Sequence, residues 1–190
     1  MATRAEDGSV SLALSDGERI LHNDSREISI LLTRKELTIT YARCAAGERI
    51  AEAHVHHEHT DAFYVLDGEL TFGTGREAET ITVSAGGFVT APPGVPHSFR
   101  NDSGHDARWL TIHAHDGGFG AFMRGVRDGV SVEWDIGPVP ADGGRSAANA
   151  IVSRDTGNEW FEVGTQVCRL AGALPDHCAV EWRPPKPLAV

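Results

Sequence analysis

Cysteine is scarce in this chain, with three residues in 190, at Cys44, Cys168 and Cys178, and no C-x-x-C pair among them. That is too few and too uneven for a disulfide scaffold, so each reads as a small buried hydrophobe in a reducing compartment. Positive charge is also in deficit, with 17 Lys and Arg against 27 Asp and Glu and a formal net charge of −10. Such a surface repels phosphate, which excludes nucleic acid as the main partner and disfavours anionic membranes. No apolar run is long enough to span a bilayer, and Met1 to Val10 lack the charged-then-apolar pattern of a signal peptide. A cytoplasmic protein is expected. Helical periodicity is nearly missing too: only Phe119 to Val126 spaces its apolar residues as a helix does, and two glycines weaken it.

What the chain does have is a core-forming hydrophobic fraction of 41% and turn residues in quantity, 21 Gly and 9 Pro. Short apolar segments recur between them. The chain turns apolar from Ile28 to Leu32, and Leu37 to Tyr41, Phe63 to Leu66, Glu69 to Phe72, Thr80 to Val83, Phe88 to Thr90 and Trp109 to His113 read as short β segments. Asp67-Gly68 and Gly73-Thr74-Gly75 read as turns, as do Gly86-Gly87 and Pro92-Pro93-Gly94. Strands this short, with turns this frequent, predict an all-β sandwich or barrel. The expected layout is an N-terminal arm or edge strands over 1–35 and a barrel over 36–115. Residues 116–190 then supply a short helix, a long surface excursion over 127–150, and strands around Phe161 to Leu170 and Ala179 to Trp182. Those last strands are expected to pack on the barrel or on a dimer partner.

Ten histidines are present, and four crowd into His54-Val55-His56-His57-Glu58-His59-Thr60-Asp61. On a strand, His54 and His56 share one face while His57 takes the other, so two imidazoles can converge on one ion. Asp61 lies an odd number of residues from His56, so the chain must bend between them, and the polar run His57 to Thr60 suits that bend. Asp61, Phe63 and Val65 then share the inward face of the next strand. His97 follows a turn forced by Pro92, Pro93 and Gly94, and if it points inward it supplies a third imidazole. His113 and His115, flanked by Leu110, Ile112 and Ala114, are expected on the solvated face of the last strand. A role for one of them as a proton shuttle in the cavity is the alternative. His22, His105 and His177 read as surface residues, and Glu58 as a solvated charge. Phe63, Val65, Phe72, Phe88 and Phe99 are expected mainly as core.

The two segments resemble the paired motifs of the cupin superfamily. Gly86, Pro92, Gly94, His97 and Asn101 match the second motif at every position, and His54, His56 and Gly68 match the first, with Asp61 in the glutamate position. Gly47 stands one residue further from His54 than the motif has it. The resemblance implies a jelly-roll (double-stranded β-helix) barrel with one short C-terminal helix and extra flanking strands, binding metal in its mouth through His54, His56, Asp61 and His97. Aspartate is shorter than glutamate by one methylene, about 1.5 Å of reach. Either the backbone moves closer, or the carboxylate reaches through water, or His59 takes the fourth position.

Three imidazoles and a carboxylate suit one divalent transition metal, Fe, Mn, Ni, Co, Cu or Zn, with one or two positions open. The resemblance implies an enzyme acting on a small, oxygen-rich organic molecule, dioxygenase-like first and polyketide-cyclase- or isomerase-like second. A module that captures a small ligand without turnover is the alternative from another class. Barrels of this family commonly pair, and the tail strand around Phe161 to Leu170 has no evident partner in the central block, so a homodimer is expected.

Overall fold

The computed structural model describes residues 3–4, 9–76, 79–145, 152–153, 160–163, 166–170 and 180–183. The chain forms two units, Met1–Val152 and Ser153–Val190. In the first, β1 (Thr3–Arg4) and β2 (Val10–Ser11) form a two-stranded ribbon. They are followed by β3 (Glu18–His22), β4 (Arg26–Thr33), β5 (Thr38–Cys44), β6 (Arg49–Val55), β7 (Thr60–Asp67) and β8 (Glu69–Thr74). Next come β9 (Glu79–Ser84), β10 (Phe88–Ala91), β11 (His97–Arg100), β12 (Ala107–Ala114), the helix α1 (Phe119–Asp128) and β13 (Gly137–Pro138). All the described pairings are antiparallel. One sheet runs β10-β7-β12-β5-β4-β3 and the other β13-β6-β11-β8-β9.

The two sheets face each other across an apolar core, to which β5, β7, β10 and β12 contribute Ala42, Cys44, Phe63, Val65, Val89 and Trp109, and β8 and β9 contribute Leu70, Phe72 and Val83. Phe99 packs against this cluster from β11. Phe63, Val65 and Phe72 are therefore core, as expected, and burial raises the Cys44 thiol above its ordinary value, which keeps it an unreactive hydrophobe. Gly68 joins β7 to β8 at φ +72°, where a Cβ would lie 2.4 Å from the Asp106 carbonyl oxygen, so this turn admits only glycine.

Side-chain parity differs from expectation in β12. Trp109, Thr111 and His113 face inward and are buried, while Leu110 and Ile112 are half-buried on the outer face. The outer surface of this sheet is itself partly covered, so apolar residues occupy both faces and the alternation misleads. His113 is thus an interior residue, and His115, beyond the strand end, is exposed. In β5 the same parity buries Thr38 and Thr40, with Ile39 and Tyr41 half-buried outside.

The glycines in α1 have a packing role. A Cβ on Gly120 would lie 2.8 Å from Thr33, and one on Gly125 would lie 2.6 Å from the Val130 carbonyl oxygen. Met123 packs on Ile20 and Ile30, and Arg124 and Arg127 both pair with Glu18 on β3. In the second unit, Trp160–Val163, Gln166–Leu170 and Val180–Arg183 form an antiparallel three-stranded sheet. The segment Phe161 to Leu170 is therefore two strands rather than one, and it finds its partners within its own unit. His177 and Cys178 lie outside the described residues.

Candidate metal centre

Two cross-strand pairs build the mouth of the barrel. His97 on β11 stands opposite His54 on β6 in one sheet, and His113 on β12 stands opposite Asp61 on β7 in the other. His56 follows β6 directly, and the bend His57-Glu58 turns the chain back so that His59 and Asp61 return beneath it. Gly94 N–H donates to the His56 carbonyl at 2.7 Å and so ties the P-x-G turn to the H-x-H segment. Asn101 is wholly buried. Its amide donates to the Ala45 and His105 carbonyls, and its oxygen accepts from Ser103, which fixes the loop beyond β11.

All four expected ligands come together: the donor atoms of His54, His56, Asp61 and His97 lie within 4.8 Å of one another. His56 Nε2 is 3.2 Å and His97 Nε2 3.4 Å from Asp61 Oδ2. The backbone of β7 approaches closely enough that the shorter carboxylate reaches the imidazoles unaided. The tautomers follow from the partners, because a carbonyl only accepts. His54 Nδ1 donates to Glu52 O at 2.7 Å, His97 Nδ1 to Val95 O at 3.1 Å, and His56 Nδ1 to Asp135 O. In each ring Nδ1 is occupied, and Nε2 is left for the centre.

The electrostatics suit a cation. Burial first, then the neighbouring His97, lowers His54 to about 4, so its ring is neutral at neutral pH. Burial also opposes charge on His56, but Asp61 and Asp135 outweigh it and hold this ring above its ordinary value. Burial alone would raise the Asp61 carboxyl; His113, His56 and His59 around it overcome this and keep it well below the usual carboxylate range. An ionised carboxylate deep in the barrel, faced by imidazoles, is the environment in which a proton on His56 stands where a metal ion would.

His59 is not a solvated bend residue. It is fully buried, with Nε2 3.2 Å from Asp61 Oδ1, the oxygen opposite the one that His56 and His97 approach. His113 Nδ1 reaches the same Oδ1 at 2.6 Å.

The segment expected as a surface excursion crosses the mouth. Asp135 accepts backbone N–H groups of His57, Glu58 and His59, and its Oδ2 lies 2.9 Å from His59 Nδ1. These N–H donors outweigh burial and hold the Asp135 carboxyl low. Trp134 packs beside His56 and stacks on Phe122 and His59, and β13 pairs with His54 and Val55. The local pattern around Trp134-Asp135 carries no spacing signal that assigns either residue to the site. Glu58, His57 and His105 are exposed.

Residues 40–113 match the family model described as a cupin domain. A quercetin 2,3-dioxygenase of Bacillus subtilis (strain 168) is 30% identical over 106 residues, which cover 53% of this chain and 31% of that protein. The chain thus spans about a third of the length of the curated relative it matches. Among solved structures, an uncharacterized conserved protein with a double-stranded beta-helix domain from Klebsiella pneumoniae subsp. pneumoniae MGH 78578 superposes with a TM-score of 0.51 at 23% identity, covering 60% of this chain and 92% of that one. The family match ends at His113 and leaves out Trp134 and Asp135.

Proposed function

From a chain whose residues 40–113 match the cupin domain family model, we propose that it is a metal-dependent enzyme acting on a small, oxygen-rich organic substrate. In this reading His54, His56, Asp61 and His97 hold one divalent transition ion, and the reaction is dioxygenase-like. The observation that carries it is the set of three imidazoles with Nδ1 engaged by carbonyls and Nε2 left for a common centre with Asp61 Oδ2. Such a donor set fits Fe, Mn, Ni, Co, Cu or Zn. When bound, an ion of this kind polarises an enolate or catecholate oxygen, or brings the pKa of bound water towards neutrality.

The chain's own residues supply the rest. Asp61 places a fixed negative charge at the centre, and the carbonyls of Glu52, Val95 and Asp135 lock the rings. Trp134, Phe119 and Phe122 form an aromatic wall over the mouth, with Trp134 5.0 Å from Phe119 and 4.9 Å from Phe122 between ring centroids. The indole Nε1 of Trp134 is buried and has no hydrogen-bond partner among the described residues, which leaves it a donor for a substrate oxygen. A cleft of about 390 Å³ flanks it, lined by Phe122, Val132, Glu133, Trp134 and Ile136. The 30% identity to the dioxygenase favours oxygen chemistry over the isomerase reading.

The test is metal analysis of untagged protein by mass spectrometry, followed by oxygen uptake with flavonol and catechol substrates after loading with Fe, Mn or Ni. Metal content that falls in His97→Ala, with uptake that falls alongside, supports the proposal. Absence of uptake and of any product with every metal tried leaves a binding module in its place.

A further inference from the structure

The Asp61 carboxylate has two oxygens, and only Oδ2 is used by the proposed centre. We infer that His59, Asp61 Oδ1 and His113 form a second cation site, so that Asp61 bridges two ions in the barrel mouth. The inference shares Asp61 with the proposed function but rests on two other residues.

Four observations carry it. The three donors lie within 4.8 Å of one another, with His59 Nε2 at 3.2 Å and His113 Nδ1 at 2.6 Å from Asp61 Oδ1. All three side chains are almost fully buried, at 0%, 3% and 3% exposure for His59, Asp61 and His113. Despite these short separations, His59 Nε2, Asp61 Oδ1 and both nitrogens of His113 make no well-angled hydrogen bond among the described residues. Buried polar atoms are rarely left so, and a group of them facing one another off hydrogen-bonding angles is the arrangement that ligands to a common cation adopt. Finally, the tautomer is set: Asp135 Oδ2 accepts a hydrogen bond from His59 Nδ1–H at 2.9 Å, which leaves the Nε2 lone pair for a metal.

A competing trio, His56, His59 and Asp135, is disfavoured. Asp135 Oδ2 already accepts from two backbone N–H groups and the His59 ring, and His56 Nδ1 already donates to the Asp135 carbonyl. On the other side, His113 lies stacked on Phe119, with ring centroids 3.5 Å apart, and this fixes the plane of its ring. Imidazole and carboxylate donors select zinc, cobalt, iron, nickel or copper over calcium or magnesium. Two-metal sites of this type clamp two oxygens of one substrate, as a vicinal dioxygen ligand would require.

The test uses the full chain, stripped with chelator, reloaded with Co(II) or Zn(II), passed through gel filtration and analysed by mass spectrometry. The variants are His113→Phe, which keeps a ring against Phe119, His59→Gln, and the double variant His54→Ala/His97→Ala. Circular dichroism and thermal melting confirm that each is folded. Two equivalents per chain are expected in the original protein, one in His113→Phe and in His59→Gln, and one in the double variant. A single equivalent that survives in His113→Phe and His59→Gln but is lost in the double variant overturns the second site and leaves the proposed function intact. A single equivalent lost in every variant also overturns it, since one ion then uses all the donors. A single equivalent lost in His113→Phe but kept in the double variant supports the second site and removes the ligand set of the proposed function. No ion bound under any loading overturns both.

Discussion

His59 and Asp135, 76 residues apart in the chain, meet at 2.9 Å between Nδ1 and Oδ2. Through this contact the segment after the helix reaches into the mouth of the barrel and decides which nitrogen of His59 is free. The same residue's backbone carbonyl sets His56.

Asp135 is consequently the residue whose loss should separate support of the centre from direct ligation. Asp135→Asn is expected to weaken metal binding about 10–100-fold, as loss of an outer partner of a ligating histidine does. Asp135→Ala additionally leaves the N–H groups of His57, Glu58 and His59 without their acceptor, at a cost of about 1–3 kcal/mol. Competition against a coloured chelator and thermal melts read the two effects. Unchanged metal affinity in Asp135→Asn would remove the supporting role.

Asp61→Glu restores the motif residue but should not improve the site. Asp61 already lies 3.2 Å from His56 and 3.4 Å from His97, at a buried position. An added methylene there is expected to cost roughly 1–3 kcal/mol through overpacking. Equal or higher melting temperature together with tighter metal binding would contradict this.

Asn101→Ala should act on stability rather than on the centre. It leaves the carbonyls of Ala45 and His105, which its buried amide holds in part-buried hydrogen bonds, without their donor, an expected loss of about 1–3 kcal/mol in chemical denaturation. Metal stoichiometry of the folded fraction should not change. A loss of metal without loss of stability would place Asn101 in the site itself.

Glu18 gives a pH signature outside the site. Its hydrogen bond with Arg124, and then that with Arg127, hold its carboxyl below the ordinary value of 4.5. The folded chain therefore binds this proton less readily than the unfolded chain, so the stabilisation is complete above about 4.5 and is lost as pH falls through the lower folded value. The pair is about one-third exposed, so the effect is small, about 0.2–1 kcal/mol. Denaturation midpoints of Glu18→Gln and the original chain should converge as the pH falls below 4.5. A constant difference down to pH 2 would show that the ion pair is not its source.

Local spacing was enough to nominate His54, His56, Asp61 and His97 from the sequence as residues that converge, because each constraint is short-range, and their donor atoms do lie within 4.8 Å of one another. An i, i+2 step puts two rings on one strand face, and a proline-glycine turn sets the entry of His97 into β11. The all-β class followed likewise from turn residues between short apolar runs. Tertiary structure alone decided the inward direction of His113, since β12 carries apolar residues on both faces and alternation cannot tell which is the core. It also decided the burial of His59 and the roles of Trp134 and Asp135. These depend on a polar segment folding back over the barrel mouth, and contacts made across more than seventy residues leave no period in the sequence.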